Sequence, residues 1–155
     1  MNSGTSWLAR LGHLGVALPQ VAAPLAAYVP AVRTGNLVYT AGQLPFESGR
    51  LARTGKVGAD ITPEDAKALA RICALNALAA VDALVGLDAV VQVVKVVGFV
   101  ASAPGFNGQP RVVNGASDLL AEVFGDKGAH ARSAVGVSEL PLDAPVEIEL
   151  IVEVG

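Results

Sequence analysis

The C-terminal run alternates without a break: Val146, Ile148, Leu150, Val152 and Val154 fall on one side, and Glu147, Glu149 and Glu153 on the other. Successive side chains of a strand point to opposite faces, so this run is a strand with one packed and one polar face. Such a strand needs a sheet around it and a packed layer on its apolar side.

The helices can be placed from their ends. Thr62-Pro63-Glu64-Asp65 combines a hydroxyl N-cap, a proline at the first helical position and acids suited to the positive end of the helix dipole. The helix is expected to run to Val85, with Gly86 as its stop. At about 100° per residue, Leu69, Ile72, Cys73, Asn76, Ala80 and Leu84 share one face and Glu64, Lys67, Arg71 and Asp82 the opposite one. A second helix over 110–124 carries Val113, Ala116, Leu120 and Val123 at helical spacing and ends at Gly125.

The β-branched run Val90–Ala101 reads as a strand buried on much of both faces, and 132–138 as another strand. Residues 29–33 and 37–40 form a hairpin around Thr34-Gly35-Asn36, and Gly49, Gly55 and Gly58 frame an irregular excursion after it. The order is two strands, a helix, a strand, a helix and two strands. That predicts an α/β (α+β) domain: one mixed sheet with two helices packed on one face. The second sheet face has no helix left to cover it, and at 52% hydrophobic residues the chain favours self-association through it.

With 155 residues the chain is one domain, long enough to bury about 68–70% of the surface its unfolded form exposes. Residues 1–24 read as an N-terminal extension with a short amphipathic helix over 5–14, in which Trp7, Leu8 and Leu11 share a side, and 25–155 as the domain proper. The apolar run 11–27 faintly mimics a secretory signal, but Gly12, His13, Gly15 and Pro19 interrupt it, so a cytoplasmic location is expected. No uninterrupted apolar stretch reaches the length of a membrane span, and no membrane partner is expected.

Eleven basic against fourteen acidic residues, with no basic stripe on a helix, argue against a nucleic-acid partner. The densest basic run, Arg50, Arg53 and Lys56, reads as a solvated hairpin tip. One cysteine, Cys73, excludes an internal disulfide, and with two histidines no ordinary closed metal site is expected. No phosphate-binding glycine loop, dinucleotide fingerprint or nucleophile elbow occurs.

Arg132 stands at the head of a strand among mostly apolar neighbours, where its charge must be matched by an anion or by hydrogen-bond acceptors. A bound carboxylate and an intersubunit salt bridge to a glutamate both satisfy it. Tyr28 suits either packing at an interface or contact with a ligand, and Gly42 either a strand exit or close approach of a backbone N–H to a ligand. Asn76 on the apolar helix face is expected to bond neighbouring backbone, Asn114 to tie helix to loop, and His130 to be solvated in its loop.

Arg132-Ser133-Ala134-Val135-Gly136-Val137, Leu140-Pro141 and Val146-Glu147-Ile148-Glu149 occur after Ala27-Tyr28-Val29-Pro30, Gly35-Asn36-Leu37-Val38-Tyr39-Thr40-Ala41-Gly42-Gln43-Leu44-Pro45, Asn76 and Val113-Asn114. In this order the set resembles the reactive-intermediate deaminase family of YjgF type (RidA-like, also called endoribonuclease L-PSP-like) over residues 25–154. The resemblance implies a chorismate-mutase-like fold, a homotrimer with sites in the clefts between subunits, and no cofactor. It implies hydrolysis of short 2-imino or 2-enamino acids, such as 2-aminoacrylate, to 2-oxo acids and ammonia. Arg132 would hold the substrate carboxylate with N–H groups near Gly42 and Ala134, Tyr28 and Asn114 would border the cleft, and Glu147 would stand beside the attacking water. Many deaminating members carry a hydroxyl residue where this chain has Ala41 and a cysteine where it has Ala134. The alternative is therefore a trimer of the same fold that binds small carboxylates without turning them over. A ribonuclease role, attached to some relatives, is disfavoured by the acidic balance.

Overall fold

The computed structural model describes residues 6–24 and 26–155. A five-stranded mixed sheet forms its frame, in the order β1 (Ala31–Thr34), β2 (Leu37–Thr40), β7 (Val146–Val154), β5 (Val90–Ala101), β6 (Ala131–Val137). Only β5 and β6 are parallel. The parallel crossover from β5 to β6 runs through α3 (Gln109–Phe124), the kind of connection that parallel neighbours require.

The alternation at the C-terminus has the predicted effect. Val146, Ile148, Leu150, Val152 and Val154 are all buried, with β7 lying beneath α2 (Pro63–Val85) and α3 lying over β5 and β6, while the intervening residues are half-exposed on the open face. Thr62 caps α2 by accepting from the Asp65 N–H at 3.1 Å, and Gly86 terminates it. The helix is long and apolar enough by composition to span a bilayer, yet its apolar side is spent on the sheet and on α3. A Cβ on Gly115 would lie 1.9 Å from the Lys67 carbonyl oxygen, so the two helices pack this closely only because α3 has a glycine at the crossing.

Four readings need correction. Leu84 is 45% exposed although it lies at the same angle around the helix as the buried Ala66, because it stands in the last turn of α2, beside the Gly86 stop, where the helix end leaves it to solvent. The excursion after Leu44 contains a small hairpin, β3 (Phe46–Glu47) with β4 (Arg50–Leu51), turned by Ser48 and Gly49, both with positive φ. Arg53 and Lys56 are not simply solvated, because they pair with Asp65 at 2.8 Å and Glu139 at 2.7 Å. The first strand of the opening hairpin begins at Ala31 rather than at 29.

The extension is docked onto the domain. The predicted helix is α1 (Trp7–His13); Thr5, where the sequence would begin it, lies outside the described residues. Trp7 donates from Nε1 to the Val90 carbonyl at 2.8 Å and packs edge-on against Phe124, while Leu11 is buried. Ser6 donates from Oγ to the Asp88 carboxylate at 2.8 Å, and the Leu8 N–H donates to it at 3.1 Å. The chain then runs past α2, with Val16 and Leu18 against the core, until Ala22, Ala23 and Pro24 reach the far side of the molecule.

Candidate active site

A bulge builds the first half of the site. Tyr39 pairs with Ile151 and Gln43 with Ile148, so Thr40, Ala41 and Gly42 oppose only Glu149 and Leu150. The gap in the ladder is filled by Thr40, whose hydroxyl oxygen accepts from the Leu150 N–H at 2.9 Å. The Ala41 N–H donates to the Pro30 carbonyl at 2.8 Å, and the Gly42 N–H has no partner among the described residues.

Gly42 has no side chain because Glu147 occupies the space. A Cβ there would meet Glu147 Cδ at 2.7 Å and Oε1 at 2.9 Å, so the carboxylate lies directly over the bare glycine. Burial raises the pKa of Glu147 first of all, and the like charge of Glu149, two residues along the same sheet face, raises it further. The carboxylate borders a mainly apolar cleft of about 770 Å³, whose walls include Tyr28, Tyr39, Ala41, Gly42 and Pro24. A desolvated carboxylate beside such a space can take and return a proton more readily than a solvated one.

Asn76 supports this side from below. Its side-chain nitrogen donates to the carbonyls of Leu44 at 3.1 Å and Phe46 at 3.0 Å, fixing the segment after the bulge, as its predicted role requires. Cys73 is fully buried on the same helix, its thiol 3.6 Å from the Val146 carbonyl. Burial pushes that thiol's pKa up, and the Glu147 charge adds to the shift.

Arg132 lies elsewhere. The register aligns it with Val96, whereas Glu147 aligns with Phe99, three residues along β5. An odd separation puts the two side chains on opposite faces of the sheet: Val96 is buried on the helix side, and Phe99 lies on the open side. Arg132 donates from Nη1 to Asn114 Oδ1 at 2.7 Å and to Ser117 Oγ at 3.2 Å, both on α3. No carboxylate forms an ion pair with it among the described residues. Ala134 follows on the same face and packs against the core.

One copy of the chain thus brings Tyr28, Gly42 and Glu147 together, and separately brings Arg132, Asn114 and Ala134 together at the free edge strand β6. His130 departs from its predicted solvated state. It is half-buried and bonded through both ring nitrogens, to Ser117 and to the Gly128 carbonyl. Ser117 itself drew no attention in the sequence; its spacing of three from Asn114 on one helix face was the only available signal. Among the described residues no group of three His, Cys, Asp or Glu side chains is placed to hold a metal ion.

Residues 8–154 match the family described as "YjgF/chorismate_mutase-like, putative endoribonuclease". This chain belongs to the YjgF-type Rid family. Within that family it is 45% identical to Protein TCP17 of Trypanosoma cruzi, over 95% of this chain and 93% of the relative. It is 35% identical to a 2-iminobutanoate/2-iminopropanoate deaminase of Dermatophagoides farinae, over 88% of this chain and 93% of that one. The crystal structure of the protein Atu1372 from Agrobacterium tumefaciens superposes with a TM-score of 0.87 at 47% identity, covering 96% of this chain and 92% of its own. The YjgF-family match agrees with the mixed α+β architecture.

Proposed function

We propose that the protein hydrolyses short 2-imino acids, the tautomers of 2-enamino acids such as 2-aminoacrylate, to 2-oxo acids and ammonia without a cofactor. The observation that carries the reading is the Glu147 carboxylate held over Gly42 in an apolar cleft, its pKa raised by burial. The relatives named as 2-iminobutanoate/2-iminopropanoate deaminases support the reaction class.

In this scheme Glu147 removes a proton from water as the oxygen attacks the imine carbon, giving a carbinolamine. It returns that proton to the nitrogen, then carries the carbinolamine hydroxyl proton to the same nitrogen as the C–N bond breaks, so that the carbonyl forms and ammonia leaves. Water supplies the oxygen, and no electrons are gained or lost overall. General-base assistance of this kind is worth about 10²–10⁴-fold in rate. The unpartnered Gly42 N–H and the Arg132 guanidinium serve the substrate carboxylate, with Asn114 fixing the guanidinium and Tyr28 closing the cleft wall.

Because Arg132 and Glu147 occupy opposite faces of one sheet, a short substrate touching both needs them from two copies. A homotrimer with sites between subunits meets that need and covers the open face, where Val32, Tyr39 and Val135 are exposed. The assay that tests the reaction follows 2-oxo acid release from freshly generated 2-aminoacrylate, with Glu147→Gln expected to bind 2-oxo acids but lose turnover. Ala41, whose methyl lines the cleft beside Gly42, favours one rival reading: a carboxylate-binding regulatory trimer. Tight binding of 2-oxo acids with no imine hydrolysis by the unmodified protein would establish that rival instead.

A further inference from the structure

Ser117 and His130 form a bonded chain with Arg132 that the proposed reaction does not itself require. The Gly128 carbonyl can only accept, so at 2.6 Å His130 Nδ1 must carry the hydrogen. In the neutral ring Nε2 is then the acceptor, and at 2.8 Å it takes the Ser117 hydroxyl hydrogen. That orientation turns the serine oxygen's lone pairs towards Arg132, whose Nη1 donates to it at 3.2 Å. Every donor in the sequence Arg132, Ser117, His130, Gly128 points the same way, an arrangement in which each bond polarises the next.

The backbone is shaped to close this chain. A Cβ on Gly128 would fall 2.3 Å from the Leu120 carbonyl oxygen, so the turn Gly125–Gly128 can press against the end of α3 only with glycine there. Asn114 and Ser117 meet the guanidinium from successive turns of α3, both through Nη1. Nε and Nη2 make no hydrogen bond among the described residues, which leaves one edge of the planar fork oriented for a ligand.

We propose that Ser117 and His130 are positioning residues for the Arg132 carboxylate clamp, with His130 fixing the serine hydroxyl so that its oxygen, together with Asn114, locks the guanidinium plane. The assignment rests on the carboxylate-clamp reading of Arg132 for its use, but its geometry can be tested without it. A side chain that merely fastened the turn to α3 would change stability and leave the guanidinium and the substrate dependence alone.

The test records ¹⁵N side-chain spectra of the arginines in the full-length protein, assigns Arg132 by loss of its signals in Arg132→Lys, and titrates pyruvate. In the unmodified protein the two Arg132 Nη signals should be resolved by slow rotation. They should move towards coalescence in Ser117→Ala and His130→Ala, and recover in His130→Gln, whose Oε1 can replace Nε2 as acceptor. KM for the imine should rise roughly tenfold or more in Ser117→Ala and His130→Ala, as for a lost hydrogen bond to a charged group, with kcat little changed. The double variant should be no worse than either single one, because both break the same chain. Arg132 signals unchanged in Ser117→Ala and His130→Ala, or a failure of His130→Gln to recover them, would overturn the assignment. Coalescence in the variants with no Arg132 response to pyruvate would uphold the positioning role and overturn the clamp reading beneath it.

Discussion

Gly42→Ala tests the contact at the centre of the site. Gly42 has no positive φ, so alanine suits its backbone, and the atoms its added methyl would meet most closely all belong to Glu147, at 2.7 Å from Cδ and 2.9 Å from Oε1. Ordinary contact begins near 3.4 Å, so the carboxyl must retreat by roughly 0.5–1 Å. A displacement of that order at a reacting group costs about 10²-fold in rate. Overpacking elsewhere costs about 1–3 kcal/mol, and because the obstructing atoms end a flexible side chain the lower figure applies here, a Tm loss of about 2–4 °C. Gly42→Ala should therefore keep the fold, lose about two orders of magnitude in kcat for imine hydrolysis, and show little added thermal cost when Glu147 is already alanine. Calorimetry and the 2-oxo acid assay read both quantities. Wild-type kcat in Gly42→Ala, or an undiminished Tm loss in the Glu147→Ala background, would show that the carboxylate over Gly42 is not the reacting group.

Three further outcomes follow from individual contacts. Asn76→Ala removes the donor to two carbonyls in a buried setting and should lower stability by about 2–4 kcal/mol in urea unfolding, far more than a surface Asn→Ala. Asp88 has its pKa lowered, chiefly by the Leu8 N–H and then by the Ser6 hydroxyl, so its hold on α1 is complete above the ordinary value of 3.8 and is lost as pH falls through the lower folded value. The fluorescence of Trp7, the sole tryptophan, should report α1 undocking in that acid range, and Asp88→Asn should remove this pH dependence. Cys73, with no exposed surface and its thiol pKa raised, should resist thiol reagents in the native protein and react at once when unfolded.

Much of the frame was readable locally. The period of two in β7, the cap and stop of α2, and the β-branched run of β5 each depend on neighbouring residues only, and all three elements stand where the sequence put them. What the sequence withheld is non-local. The bulge depends on a hydroxyl of Thr40 reaching Leu150, 110 residues away, and the docking of the extension depends on Trp7 meeting Val90 and Phe124. Likewise the placement of Arg132 and Glu147 on opposite faces of the sheet follows from the register of β5 with both its neighbours, which no single strand's pattern encodes. His130 was misread for the same reason: its partner Ser117 lies on another element.

The central claim is that Arg132 of one copy and Glu147 of another complete each site. Arg132→Lys and Glu147→Gln, each impaired alone, can be unfolded together at equal concentration, refolded to reassort subunits, and assayed for 2-oxo acid release. In a cyclic trimer every mixed assembly contains one interface with both native residues, so about one quarter of the wild-type activity should return. Mixed trimers, confirmed by mass, that show no more activity than the two parents would contradict the shared site.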